Sequence, residues 1–265
     1  MTETVSHLKG LRVMVTRPKP LGEILCQRIN EAGGKSIYFP TIDIFPPGDP
    51  TIFPRQLAKI DKLDWIIFIS PQAVYATSHI INLDWPNFPS HVKIAAVGGG
   101  TAKALKAANL RVDVYPVENW GSDGLLDLPE FQNVEGKKIA LMRGEGGREW
   151  LEQSLRVRGA QVSQIIVYRR VKPTLDVAPY VKLFIDNEVD RVVSTSGEGL
   201  YNLKEILNPA WDHLQHVKLI VISQRMRDRA LEYGFKEILL AKNPSQGAII
   251  DVLKASVSKQ TDANR

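Results

Sequence analysis

A chain of 265 residues has length for two domains at roughly 100–200 residues each. Its hydrophobic share of 44% and charged share of 24% exclude a disordered or collagenous polymer. The net charge of +5 suits an anionic ligand but is too small to require nucleic acid. The single cysteine, Cys26, excludes an internal disulfide, a CxxC pair and a thiol-rich metal site. No secretory signal opens the sequence and no apolar run approaches the ~18 residues of a membrane span, so a reduced, cytoplasmic setting is expected.

In chain order, the hydropathy pattern predicts a strand at 11–16 and a helix at 21–32, whose stripe of Leu21, Ile24, Leu25 and Ile29 is stopped by Gly33-Gly34. An extended stretch follows at 35–42, then a strand at 65–69, a helix at 72–82, a strand at 93–97 and a helix at 100–108. The second half gives a strand at 138–142, a helix at 147–158, a second extended stretch at 161–172 and a strand at 191–195. A helix at 198–207, a strand at 218–222 and helices at 225–233 and 246–257 complete it, with a polar tail from Ser256 expected to fray. Short β-branched strands alternating with helices argue for an α/β protein with parallel sheets.

The halves repeat. Gly10 to Arg17 falls on Gly136 to Arg143, 126 residues later, and Glu23, Leu25, Gln27 and Gly33 fall on Glu149, Leu151, Gln153 and Gly159. Asp64 to Ser70 lands on Asp190 to Ser196 at the same spacing, and Lys93 to Gly98 on Lys218 to Ser223 at 125. One register held across so many elements reads as two copies of one α/β unit. The stretches 35–42 and 161–172 occupy equivalent places; they fit ordinary strands or the two strands of a bridge between lobes, and the residues alone do not choose.

In parallel α/β sheets, ligands gather at the carboxyl ends of strands. Here those ends read Thr16-Arg17-Pro18, Ser70-Pro71-Gln72, Gly98-Gly99-Gly100-Thr101, Arg143 through Arg148, Ser194-Thr195-Ser196-Gly197 and Ser223-Gln224-Arg225. Singly, each serine or threonine there is more often a helix cap than a ligand contact. Six such ends, several with arginine, point to binding of carboxylates or phosphates. Named motifs fail: Gly33-Gly34-Lys35-Ser36 lacks the first P-loop glycine, which is Ile29, and Glu149 stands where a dinucleotide fingerprint needs its third glycine. His213 and His216 lack an acidic partner and read as surface residues. Tyr168 closes the apolar run Ile165-Ile166-Val167 and precedes Arg169, Arg170 and Lys172. Cations beside a phenol would favour its ionised form, yet the residues alone favour a packed tyrosine with a capped hydroxyl.

Five segments carry a resemblance: Val15-Thr16-Arg17-Pro18, residues 67–74, residues 96–105, residues 143–151 and Val167-Tyr168-Arg169-Arg170. Their order and spacing, from about 11 to 253, resemble the uroporphyrinogen-III synthase family. That resemblance implies a cyclising hydro-lyase without metal or organic cofactor, acting on hydroxymethylbilane, a linear tetrapyrrole with eight carboxylates. It implies two lobes, each a parallel sheet flanked by helices, joined by a two-stranded linker. Residues 1–36 and 173–265 would form the first lobe, 37–41 and 166–172 the linker, and 42–165 the second lobe. Tyr168 matches the family tyrosine that assists hydroxyl departure. Thr101 with Gly98 and Gly99, and Ser70, Ser196 and Ser223, match its turns; Arg17, Gln72, Arg143, Arg148, Gly197 and Arg225 complete the expected substrate set. Ile69 and Gln72 depart from a frequent threonine and asparagine, and Gly197-Glu198-Gly199 is locally loose. A monomer is expected, with hand-over from hydroxymethylbilane synthase and neither nucleic-acid nor membrane partner. The rival readings are a non-catalytic two-lobed module for a polycarboxylate or other polyanion and, less well supported, a nucleic-acid binder.

Overall fold

The computed structural model describes residues 7–49, 51, 55–56, 58–84, 88–147 and 149–262. In chain order its elements are β1 (Arg12–Val15), α1 (Leu21–Glu31), β2 (Lys35–Tyr38), β3 (Asp43–Phe45), β4 (Trp65–Phe68), α2 (Pro71–Asp84), β5 (Lys93–Ala96), α3 (Gly99–Ala107), α4 (Ser122–Leu126) and α5 (Pro129–Gln132). They continue with β6 (Lys138–Gly144), α6 (Trp150–Val157), β7 (Gln161–Val171), α7 (Ala178–Ile185), β8 (Arg191–Val193) and α8 (Gly197–Ile206). The last are α9 (Trp211–Leu214), β9 (Lys218–Val221), α10 (Gln224–Glu232), β10 (Ile238–Leu240) and α11 (Gln246–Asp262).

The chain divides into two units, one comprising residues up to Ile44 and from Val171 onward, the other Phe45–Arg170. The first holds a sheet of order β10-β9-β8-β1-β2, with every adjacent pair parallel. Successive side chains on a strand point to opposite faces, and here both faces are covered. Met14, Val192, Leu219 and Val221 pack with Phe39, Phe184, Leu200 and Leu203 on one side. Val13, Val15, Val193 and Ile220 pack with Leu25, Ile29, Ile249 and Leu253 on the other. Burial on both faces is why these strands read as continuous apolar runs.

The second unit holds a sheet of order β3-β7-β6-β4-β5, parallel from β7 through β5. Trp65, Ile67, Ala95, Ile139 and Leu141 pack with Leu125, Phe131, Leu151 and Leu155. The alternate residues Ile66, Phe68, Ile94, Ala96, Ala140 and Met142 are also buried.

Residues 126 apart make the same backbone bond, each reinforced by a nearby cation. Asp64 accepts from the Lys138 amide at 2.9 Å and from Lys137 Nζ at 2.9 Å. Asp190 accepts from the Arg12 amide at 2.8 Å and from its guanidinium at 2.8 and 3.0 Å. Each carboxylate, entering the strand of one sequence half, staples the strand that opens the other half.

Some expected boundaries moved. The stretch 35–42 is a strand only to Tyr38, ahead of Pro40, and Asp43–Phe45 form a separate short strand in the other sheet. The helix expected from 147 starts at Trp150, because Gly146 and Gly147 take left-handed φ values of 68° and 95°. The expected fraying from Ser256 is corrected: α11 continues to Asp262. Arg191 is 3% exposed, and its guanidinium donates to Ser256 Oγ at 3.2 Å and to the Ser256 carbonyl at 3.3 Å. A buried cation needs acceptors, and the helix end supplies them.

Candidate active site

The register of the second sheet aligns its carboxyl ends. Phe68 lies opposite Ala96 on one side and Met142 on the other, so Ser70, Gly98 and Gly144 each follow two residues beyond aligned positions, at the same end of the sheet. Gly144 in turn lies opposite Tyr168, because the ladder shifts at Arg143/Gly144 and skips Val167. Such an irregularity re-aims a side chain. Gly98, Ser70, Gly144 and Tyr168 thereby form one row on one sheet edge.

Tyr168 is 6% exposed. Its ring lies directly over Gly144: a Cβ there would fall 2.5 Å from Tyr168 Cζ and 2.9 Å from its hydroxyl. The Glu145 amide donates to the Tyr168 carbonyl at 2.8 Å, fixing the backbone beneath. The hydroxyl lies 3.3 Å from Ser70 Oγ. Ser70 Oγ also accepts from the Ala73 amide at 3.2 Å, at the start of α2. A hydroxyl that accepts such a bond still has its own proton to donate.

The cations that follow the phenol in sequence make backbone contacts of their own. Arg169 donates to the Pro46 carbonyl at 3.3 Å and stacks on Phe45, and Arg170 donates to the Glu145 carbonyl at 3.1 Å. Strand alternation turns Arg169 away, and the loop after β6 draws Arg170 to itself. The Tyr168 hydroxyl itself makes its hydrogen bond with Ser70.

At the end of β5, Gly98 is buried and leads into α3. Its carbonyl accepts from the Thr101 and Ala102 amides at 3.1 and 3.0 Å, and Thr101 is buried. The Trp120 ring covers Gly98 and Gly99, with Trp120 Cβ 3.3 Å from where a Gly98 Cβ would sit. Gln72 has a buried side-chain carbonyl oxygen without a hydrogen-bond donor among the described residues.

In the first unit, Ser196 and Ser223 are the N-caps of α8 and α10. Each accepts from an amide three residues on, Gly199 at 3.0 Å and Met226 at 3.3 Å. The cap reading is therefore correct for both, and each hydroxyl retains a proton for an anion. Gly197 and Arg225, just inside these helices, are exposed.

The two strand-end arginines share a fate. Arg17 is 7% exposed and donates to the Pro244 carbonyl at 2.9 Å. Arg143 is 6% exposed and donates to the Gly146 carbonyl. Each pins a neighbouring loop. Arg148 lies outside the described residues.

Gly144 was not among the expected site residues, although it lies in the strand-end segment 143–148; only the shift in pairing shows why a side chain is excluded. Gly22 and Tyr38 were not among them either. A Cβ on Gly22 would meet the Arg17 carbonyl at 2.3 Å and Tyr38 Cε2 at 2.6 Å. The Tyr38 hydroxyl is buried without a partner among the described residues, and burial pushes its ionisation well above the usual phenol range. Among the described residues, no three His, Cys, Asp or Glu side chains gather as metal ligands.

A family model for uroporphyrinogen-III synthase HemD matches residues 25–251. The chain is 35% identical over 250 residues to the uroporphyrinogen-III synthase of Escherichia coli (strain K12), covering 92% of this chain and 100% of that one. It is 33% identical over 247 residues to that of Salmonella typhimurium (strain LT2), with the same coverage. The fold is similar to the crystal structure of a mutant uroporphyrinogen III synthase from the extremely thermophilic bacterium Thermus thermophilus, with a TM-score of 0.61 over 94% of this chain and 99% of that one, at 18% identity. By the extent of the family match and the identity held over nearly its whole length, this chain belongs to the uroporphyrinogen-III synthase family.

Proposed function

We propose that this chain converts hydroxymethylbilane into uroporphyrinogen III, closing the ring with inversion of its last pyrrole and loss of water. Family membership supplies the reaction class, and the placement of the Tyr168 hydroxyl against Ser70 at the strand-end edge carries the assignment of roles. Ser70, accepting from the Ala73 amide, donates its proton toward Tyr168 and leaves the phenol proton for the substrate. The substrate's hydroxymethyl C–O bond breaks as the pyrrole nitrogen supplies electrons, and the hydroxyl takes the Tyr168 proton and departs as water. The resulting azafulvene is attacked by the substituted carbon of the terminal ring, giving a spiro intermediate. That intermediate fragments and recloses in the inverted sense, and the proton lost at closure restores the phenol.

Because bilane closes without inversion in water, the protein's main contribution is to hold one conformation. Strand-end groups in each unit serve this: Gly98, Gly99, Thr101, Ser70, Gln72, Arg143 and Arg148 in one, Arg17, Ser196, Gly197, Ser223 and Arg225 in the other. Helix N-termini and serine protons suit carboxylates, so a net charge of +5 suffices for a substrate carrying eight. Arg17 and Arg143 act through the loops they pin.

The same reading takes the chain as an internal duplication with its opening strands exchanged, supported by the matched Asp64 and Asp190 bonds. The stretches 37–41 and 166–172 act as its two-stranded linker. It acts as a monomer in the cytoplasm, without cofactor, and receives its labile substrate from hydroxymethylbilane synthase. The test is turnover of enzymatically generated hydroxymethylbilane by wild type and Tyr168→Phe. Loss of a general acid slows such steps by about 10²–10⁴. A similar loss with KM little changed supports the assignment; unchanged turnover removes Tyr168 from the chemistry.

A further inference from the structure

One groove in the first unit extends beyond the strand-end residues Gly197 and Arg225. It has a volume of about 320 Å³ and is lined by Gly197, Tyr201, Arg225, Met226, Arg229 and Tyr233. The lining follows helical spacing: Gly197 and Tyr201 are four apart on α8, Arg225 and Arg229 four apart on α10, and Tyr233 four further at its end. Side chains at this spacing share one helix face. The groove therefore starts at the two capped N-termini and runs between the helices, away from the sheet edge.

Its chemistry is cationic and aromatic. Met226, 4% exposed, is its buried lining residue, while Tyr201 is 51% exposed. Arg225 lines the groove, and its side chain makes no hydrogen bond or ion pair among the described residues. Arg229 is oriented by Glu232 at 3.2 Å and lies 6.0 Å from the Tyr233 ring centroid. Tyr233 is anchored through its carbonyl, which accepts from Trp211 Nε1 at 3.2 Å and Gln215 Nε2 at 2.9 Å. Lys204 lies 4.6 Å from the Tyr233 ring centroid and adds positive charge near the far end. The acidic neighbour Asp228 accepts from Gln224 and does not line the groove.

We infer that this groove receives a single carboxylate-bearing pyrrole ring of the tetrapyrrole, with Tyr201 against the ring and Arg225 and Arg229 on its carboxylates. The inference rests on the proposed function and adds Tyr201 and Arg229 to the substrate-positioning residues. Small-molecule sites span about 300–1,000 Å³, and this volume lies at the low end, on the scale of a single ring. Two arginines four residues apart suit the paired carboxylates of such a ring, and a planar ring suits an exposed tyrosine face.

The experiment measures steady-state formation of type III product by wild type, Tyr201→Ser, Arg229→Gln and Arg227→Gln. Arg227 is exposed on the same helix and does not line the groove, so its variant controls for charge alone. Tyr201→Ser and Arg229→Gln are expected to raise KM roughly tenfold at nearly constant kcat, as loss of uniform binding requires. Arg227→Gln is expected to leave both unchanged. Melting temperatures within a few degrees of wild type exclude unfolding as the cause, and competitive inhibition by type III product should weaken in parallel with KM. Unchanged KM in both groove variants of an active chain overturns the groove alone. An equal rise in KM for Arg227→Gln also overturns it, since charge and not the groove would then be responsible. A wild-type chain that forms no type III isomer overturns the proposed function and the groove with it.

Discussion

Replacing Gly144 by alanine tests whether the seat of Tyr168 matters for turnover. A Cβ at this position would lie 2.5 Å from Tyr168 Cζ, against 3.4 Å for ordinary contact, so the ring must retreat by 0.9 Å. Gly144 is absent from the positive-φ positions, so its backbone accepts alanine and the penalty is steric. Overpacking of this kind costs typically 1–3 kcal/mol of stability, which a domain of this size tolerates. The hydroxyl, 3.3 Å from Ser70 Oγ, moves with the ring and loses that contact. A misplacement of about 1 Å costs on the order of 10²-fold in rate, or roughly 2.7 kcal/mol of barrier. The assay is kcat for type III formation by wild type, Gly144→Ala, Tyr168→Phe and the double variant, each checked for folding by thermal melting. Because the two residues act through one hydroxyl, the double variant should be no slower than Tyr168→Phe. Wild-type kcat in a folded Gly144→Ala protein would refute the claim that this glycine positions the tyrosine.

Asp190→Asn should lower stability by about 1–2 kcal/mol at neutral pH, since a one-third-exposed carboxylate loses charge-assisted bonds to Arg12. Burial works against ionisation of Asp190, but hydrogen bonds and charge from Arg12 hold its pKa below the usual carboxylate range. The stabilisation is thus complete above about pH 4 and fades as pH falls through the lowered value. Urea unfolding should show the wild-type advantage closing in acid; an equal advantage at pH 7 and pH 2 would contradict it. Ser196→Ala and Ser223→Ala should each cost about 1 kcal/mol as lost N-caps, and should also raise KM severalfold. A stability loss with unaltered KM would confine these serines to capping. Tyr38→Phe removes a buried hydroxyl that has no partner among the described residues, and should leave stability equal or up to about 1 kcal/mol higher by thermal unfolding. A loss above 1 kcal/mol would mean that the hydroxyl has a partner in solution.

The parallel strands were legible because burial on both faces writes uninterrupted apolar runs, as in Trp65-Ile66-Ile67-Phe68 and Leu219-Ile220-Val221. Glycine pairs and helical stripes marked most long helices to within one to three residues. Helix α7 was missed: Ala178-Pro179-Tyr180-Val181 opens with a proline that reads as a breaker, although proline suits a helix's first turn. The length of α11 was missed because the group that fixes Ser256 is Arg191, 65 residues earlier.

At the site, the residue types at strand ends were readable, but their alignment was not. Whether Ser70 meets Gly144 or Met142 depends on register, and the skip at Val167 that turns Tyr168 onto Gly144 has no local sequence mark. Nor does adjacency in sequence show where a side chain bonds: Arg169 and Arg170 donate to the Pro46 and Glu145 carbonyls. The groove between α8 and α10 brings together residues from 197 to 233, a pairing set by helix packing alone.

The central claim is that the protein forces ring inversion. The measurement is isomer analysis of the product formed from enzymatically generated hydroxymethylbilane, beside a protein-free blank and without added metal. Predominantly type III uroporphyrinogen is expected, formed faster than the blank reacts. Type I product alone, at the blank rate, would contradict the claim.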